Sequence, residues 1–116
     1  MTEPAGTPIT EHSLVEIVTT FDTQEAAVAC GRRLVEGGVA ACVQIDGPVI
    51  SIYRWQGSVE AAEEWRCTCK TTPARREACL TAILAAHPYE TPQLTSAVVG
   101  ATRSYAAWVE QSVDPS

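Results

Sequence analysis

One short stretch of this chain gathers side chains that could do chemistry. In "HPYETP", residues 87–92, an imidazole precedes two prolines that hold a phenol and a carboxylate between them. Copper and zinc favour imidazole and thiolate donors. The donors of that kind are His87 and Cys42, with Glu90, Glu60 or Glu64 behind them. The same six residues also suit a plain corner. Pro88 and Pro92 bias His87 and Thr91 away from the helical region, so a helix stops, an extended link follows and a strand begins. Both readings remain open from these residues, because one imidazole does not make a tight copper site and donors supplied by other subunits are invisible in a sequence.

The remaining chemistry-bearing residues define little else. Five cysteines, Cys30, Cys42, Cys67, Cys69 and Cys79, form no C-x-x-C pair and their number is odd. They read as small core hydrophobes rather than a disulfide scaffold. Cys67 and Cys69 point to one face of a strand, but nothing near them completes a four-ligand zinc site. Cys79 and His87 lie two helical turns apart, about 12 Å, too far to share an ion. No phosphate loop, dinucleotide fingerprint, H-E-x-x-H or G-x-S-x-G occurs. The expectation is a protein that is not an enzyme and has no organic cofactor.

A net charge of −6 argues against nucleic acid, which requires clustered Lys and Arg. An acidic surface attracts cations, although acidity also serves solubility. No apolar run approaches the ~18 residues of a membrane span. The opening "MTEPAGTPITEH" lacks the basic start and apolar core of an export signal, so residues 1–12 read as a tail and the cytoplasm is expected.

The elements that must position these residues follow from periodicity. "SLVEIVTTF" (13–21) is a β-branched strand. Asp22 and Glu25 give a capping pattern for a helix whose inward stripe is Ala27, Cys30, Gly31, Leu34 and Val35, ended by Gly37-Gly38. "VAACVQI" (39–45) is a short strand in which Cys42 reads as core. "DGP" breaks it, and "VISIYRWQ" (49–56) resumes with Tyr53 and Trp55 on one face. Gly57-Ser58 then folds that segment back on 63–71 as a hairpin. Thr72-Pro73 starts a second helix with Cys79, Leu80, Ile83, Leu84 and His87 inward. "QLTSAVVG" is the last strand, and "TRSYAAWVEQS" a helix with Tyr105 and Trp108 on one face.

The order is β-α-β-β-α-β with an extra C-terminal helix: an α+β, ferredoxin-like antiparallel sheet with two helices on one face. Residues 13–112 form one domain, with 113–116 a short tail. The open sheet face is expected to hold the exposed apolar and aromatic side chains, which predicts a homo-oligomer.

"RRLVEGGVAACVQI", "SIYRWQGSVE", "HPYETPQL" and "YAAWVEQS", in this order and spacing, resemble the CutA divalent-cation-tolerance family over roughly residues 13–112. The resemblance implies a tight homotrimer, similar in architecture to PII signalling proteins, with a role in tolerance to copper and other divalent cations. It also implies an inter-subunit cleft built from Tyr53, Trp55, Glu60, Glu64, Lys70, His87, Tyr89 and Glu90. Three departures mark a divergent member: Phe21 where the family has a proline, Cys67 and Cys69 in an otherwise aliphatic strand, and Ala97 where a proline is usual.

The functional expectation is a non-enzymatic cytoplasmic trimer that binds divalent ions such as copper or zinc, with His87, Cys42 and Glu90 as ligands. Two alternatives stand beside it. One is a small-molecule sensor holding its ligand near Trp55, Lys70 and Tyr89, and the other is a structural trimer. Neither nucleic acid nor a membrane is expected as a partner.

Overall fold

A computed structural model describes residues 12–113. The sequence-based expectation of a flexible N-terminal tail falls almost wholly on residues 1–11, outside that range.

Strand β1 spans Ser13–Phe21 and α1 spans Gln24–Glu36. The N-cap of α1 is Thr23, not Asp22: the Thr23 hydroxyl accepts from the Ala26 amide at 3.1 Å, satisfying a first-turn donor. Ala27, Cys30, Gly31 and Leu34 are buried as expected, whereas Val35 is 43% exposed. Eight residues beyond Ala27 the helix has rotated about 80° off the stripe.

Strand β2 runs unbroken from Cys42 to Trp55, and β3 from Ser58 to Thr71. The two strands expected on either side of "DGP" are therefore one. The extra residues are absorbed as a bulge between Asp46 and Val49, where pairing with β3 shifts and then resumes. Two contacts hold the bulge. Arg66 pairs with the Asp46 carboxylate at 2.9 Å, and Gly47 lies so close to Trp65 that a Cβ there would sit 2.8 Å from the ring. The hairpin closes with Gln56 and Gly57 at φ 49° and 83°, both left-handed, the pair of values that a two-residue turn of the primed type requires.

A 3₁₀ turn at Pro73–Arg75, capped by Thr72, leads into α2 at Arg76–Ala86. Cys79 and Ile83 are buried, but Leu84 is 54% exposed, because five residues from Cys79 it points about 140° away. Strand β4 is Leu94–Gly100 and α3 is Arg103–Ser112.

The sheet order is β2-β3-β1-β4, all antiparallel, with β1 in the interior. This is the ferredoxin-like arrangement. Val15, Ile17, Phe21, Cys67 and Cys69 on one face pack with Ala27, Cys30, Leu34, Cys79 and Ile83 into the main core. A second cluster, Leu14, Ala41, Val109 and Val113, fixes α3 across one end of the other face. Val113 is buried there, so the packed chain reaches one residue past 112.

The rest of that face differs from expectation. It carries Glu16, Thr68, Arg66 and Lys70, with Lys70 3.5 Å from Glu16 in adjacent register. The densest group of exposed apolar residues lies instead along the β2–β3 arm, at Ile50, Ile52, Tyr53, Trp55 and Val59, with the others scattered over the helices and β4. Strand β1 stops at Phe21 opposite Trp65, so beyond that pair the arm has no third strand beside it.

Candidate functional site

The end of β1 determines what gathers around the arm. His87 follows α2 in extended conformation, φ −80° and ψ 131°, as the residue before a proline should. Its ring stacks on Phe21 with centroids 4.3 Å apart. Nδ1 accepts from the Tyr89 amide at 3.2 Å, which places the proton on Nε2. Nε2–H then donates to the Thr20 carbonyl at 2.8 Å, with the Thr19 hydroxyl 3.1 Å away. Burial lowers the His87 pKa, outweighing the Thr20 carbonyl and the Asp22 and Glu64 charges that favour the proton. Both ring nitrogens are thus occupied, and the imidazole clamps the 87–93 link onto the end of β1. Phe21 supplies the stacking surface.

Two residues on, the Tyr89 hydroxyl donates to Glu64 Oε2 at 2.9 Å. Burial first, and then the Glu64 bond, raise the phenol pKa, so Tyr89 remains a donor. The corner is therefore tied to β1 by His87 and to β3 by Tyr89.

Between the arm and this link lies a cleft of about 820 Å³. Ser51, Ile52, Tyr53 and Trp55 line it from β2, Ala62, Glu63 and Glu64 from β3, and Tyr89, Glu90, Thr91 and Gln93 from the link; Thr20 and Asp22 close it at the end of β1. Of the residues singled out from the sequence, Tyr53, Trp55, Glu64, Tyr89 and Glu90 meet here. Glu60 sits farther out on the arm, paired in register with Tyr53, and does not line the cleft.

Lys70 and Cys42 are elsewhere. They pair with each other near the far end of β3, six residues from Glu64, about 20 Å along the strand. Lys70 is bound to Glu16, and Cys42 is half-buried rather than core. Asp22 and Glu63 are cleft residues that sequence reasoning missed. Asp22 directly follows the β1 run and Glu63 adjoins Glu64, but only the point at which β1 ends shows that they face one space.

The other four cysteines are buried, free and part of the main core. Burial pushes the Cys67 thiol up to about 12; a hydrogen bond with Cys79, and then burial, raises Cys69, while the same bond lowers Cys79. Thiols held protonated in this way are poor ligands and nucleophiles. Among the described residues, no group of three or more His, Cys, Asp or Glu side chains is placed to hold one metal ion. The expected set His87, Cys42 and Glu90 is not brought together within one chain, and His87 has no free nitrogen to offer.

The fold and corner define a ferredoxin-like domain with an extended arm and an acidic, aromatic cleft at its base. The family model described as "CutA1 divalent ion tolerance protein" matches residues 15–112, and the chain belongs to that family. A divalent-cation tolerance protein CutA from Thermotoga maritima is 31% identical over 101 residues, covering 86% of this chain and 99% of that one. The crystal structure of CutA from Xylella fastidiosa superposes with a TM-score of 0.85 at 30% identity, covering 87% of this chain and 98% of that one. A CutA from Archaeoglobus fulgidus, described as a periplasmic divalent cation tolerance protein, gives 0.82 at 28% identity over 88% and 99%. Among the described residues, no helix is long and apolar enough to cross a membrane.

Proposed function

We propose that this chain acts as a non-enzymatic homotrimer in tolerance to divalent cations, holding the ions weakly at the acidic cleft. One observation carries this reading: Asp22, Glu63, Glu64 and Glu90 line a single cleft from which Lys and Arg are absent. Carboxylates that face one space but do not converge on one point attract hydrated cations without stripping their water. A tighter site for copper or zinc requires donors from a neighbouring subunit. The family relationship and the exposed apolar arm support assembly. A cytoplasmic location belongs to the same proposal, although one structural relative is described as periplasmic.

The anion-binding form of the sensor alternative requires Lys70 to come from a neighbouring subunit. Within one chain Lys70 lies 3.5 Å from Glu16, away from the cleft.

Isothermal titration of metal-free protein with Cu(II) and Zn(II) tests the proposal. Saturable binding is expected, weakened about fivefold by Glu64→Gln or Glu90→Gln, since one solvent-exposed charge pair contributes ~1 kcal/mol. Heats indistinguishable from dilution, or equal binding by both variants, would refute it.

A further inference from the structure

The cleft has walls that a metal ion does not need. Tyr53, Trp55 and Tyr89 bring three aromatic rings to it, and Ile52 and Ala62 add apolar surface. A volume of about 820 Å³ is in the range of small-molecule sites, far larger than an ion requires. The rings come from both sides, Tyr53 and Trp55 from β2 and Tyr89 from the link after α2, so a ligand between them meets two different elements.

The charge lining the cleft has one sign. Glu64 is held in place by the Tyr89 hydroxyl through Oε2, a bond that does not use its other oxygen. Asp22, Glu63 and Glu90 also border the cleft, and no Lys, Arg or His lines it. The field reaches inward as well: Glu64 and Asp22 both raise the pKa of Tyr89 and both favour the charged form of His87.

Different ligand chemistries fit these walls unequally. An anion meets four acidic residues and the negative faces of rings, with no cationic side chain and only neutral donors such as Ser51, Thr91 and Gln93 to offset them. A neutral apolar molecule would strip water from the carboxylates without compensation. A compact divalent ion wants several oxygens converging at ~2.0–2.6 Å, and no three donors do so among the described residues. A cation whose charge is spread over carbon-bearing groups satisfies both walls at once, because aromatic faces attract ammonium groups and the carboxylates neutralise them.

We propose that the cleft binds a small organic ammonium ion, its charged head lying between Glu64 and the rings of Tyr53, Trp55 and Tyr89. The inference rests on the reading of this cleft as the ligand site, but it does not require that metal ions bind there.

Choline and its neutral isostere 3,3-dimethylbutan-1-ol differ in a single atom, a charged nitrogen against a carbon. Each is titrated into the full-length assembled protein, followed by heat and by tryptophan emission. Choline is expected to saturate the protein and to bind at least about tenfold more tightly than the isostere. Trp55→Leu and Glu64→Gln should each weaken choline by about fivefold or more, while Trp108→Leu, on α3, leaves it unchanged. Glu64→Gln keeps an oxygen that accepts from Tyr89, so the corner should hold; circular dichroism and molar mass verify both variants. Equal binding of the isostere, absence of saturable choline binding, or choline binding untouched by both cleft variants would overturn the proposal. A Zn(II) titration on the same preparation separates the two readings. Zinc binding without choline binding sinks the ammonium site alone, and choline binding without zinc binding sinks the metal reading alone.

Discussion

At the residue scale, His87 is the side chain whose meaning changed most. Its residue type and its place before Pro88 suggested a ligand, yet its partners are a carbonyl, a hydroxyl, an amide and a phenyl ring. Its depressed pKa has a consequence for stability. Between the folded pKa and the ordinary value of 6.5 the unfolded chain binds a proton that the folded chain does not. Stability from this group is therefore fully present above about pH 6.5 and declines as pH falls toward the folded pKa. Urea unfolding at pH 7.5 and 5.5, at one protein concentration, should show the loss, and His87→Phe should reduce the difference. Tyr89→Phe removes a hydrogen bond to a charged, partly exposed partner, and should cost ~1 kcal/mol in the same assay. No change in the unfolding midpoint would mean that the Glu64 contact holds nothing.

At the element scale, the hairpin shows where local sequence and observed geometry disagree. Gln56 occupies a left-handed position at φ 49° that Asn tolerates better. Gln56→Asn should stabilise the protein by ~0.5 kcal/mol, read from a thermal melt. Gly47→Ala should destabilise it by ~1–3 kcal/mol, because the new Cβ would meet the Trp65 ring. Most elements were legible in the sequence because their signals are local. Alternation in 63–71, Thr72-Pro73 before α2 and Thr102 before α3 each determine an element from a few adjacent residues. The continuity of β2 through "DGP" was not legible, because Arg66 and Trp65, on another strand, are what hold the bulge. The cleft was half legible for the same reason. Tyr53, Trp55, Tyr89 and Glu90 stand out by type, whereas Asp22 and Glu63 join them only because β1 ends opposite Trp65. Lys70 pairs with Glu16 within the chain, so its part in a cleft shared between subunits is not legible from one chain.

At the scale of the whole molecule, the chain is more extended than a compact monomer of its length. Its Cα radius of gyration is 16.0 Å, with extents of 55 × 35 × 21 Å, where a compact chain of this length has about 13 Å. The excess lies in the arm, whose Ile50 and Ile52 are more than 70% exposed. Apolar side chains concentrated on a protruding hairpin fit contact with other copies better than solvent. Light scattering coupled to gel filtration should give three times the 12.4 kDa chain mass, and Ile52→Lys should shift the protein toward smaller species. A monomeric wild type would remove the assembled form on which the cation-tolerance reading depends.

The central claim is that cations are received at the cleft and not at the histidine or the cysteines. Anomalous scattering from a crystal of the assembled protein soaked in Cu(II) or Zn(II) tests this directly. Anomalous density is expected beside Glu64, Glu90 or Asp22. Density on the His87 ring or on Cys42 with none in the cleft, or no density near any of these residues, would contradict it.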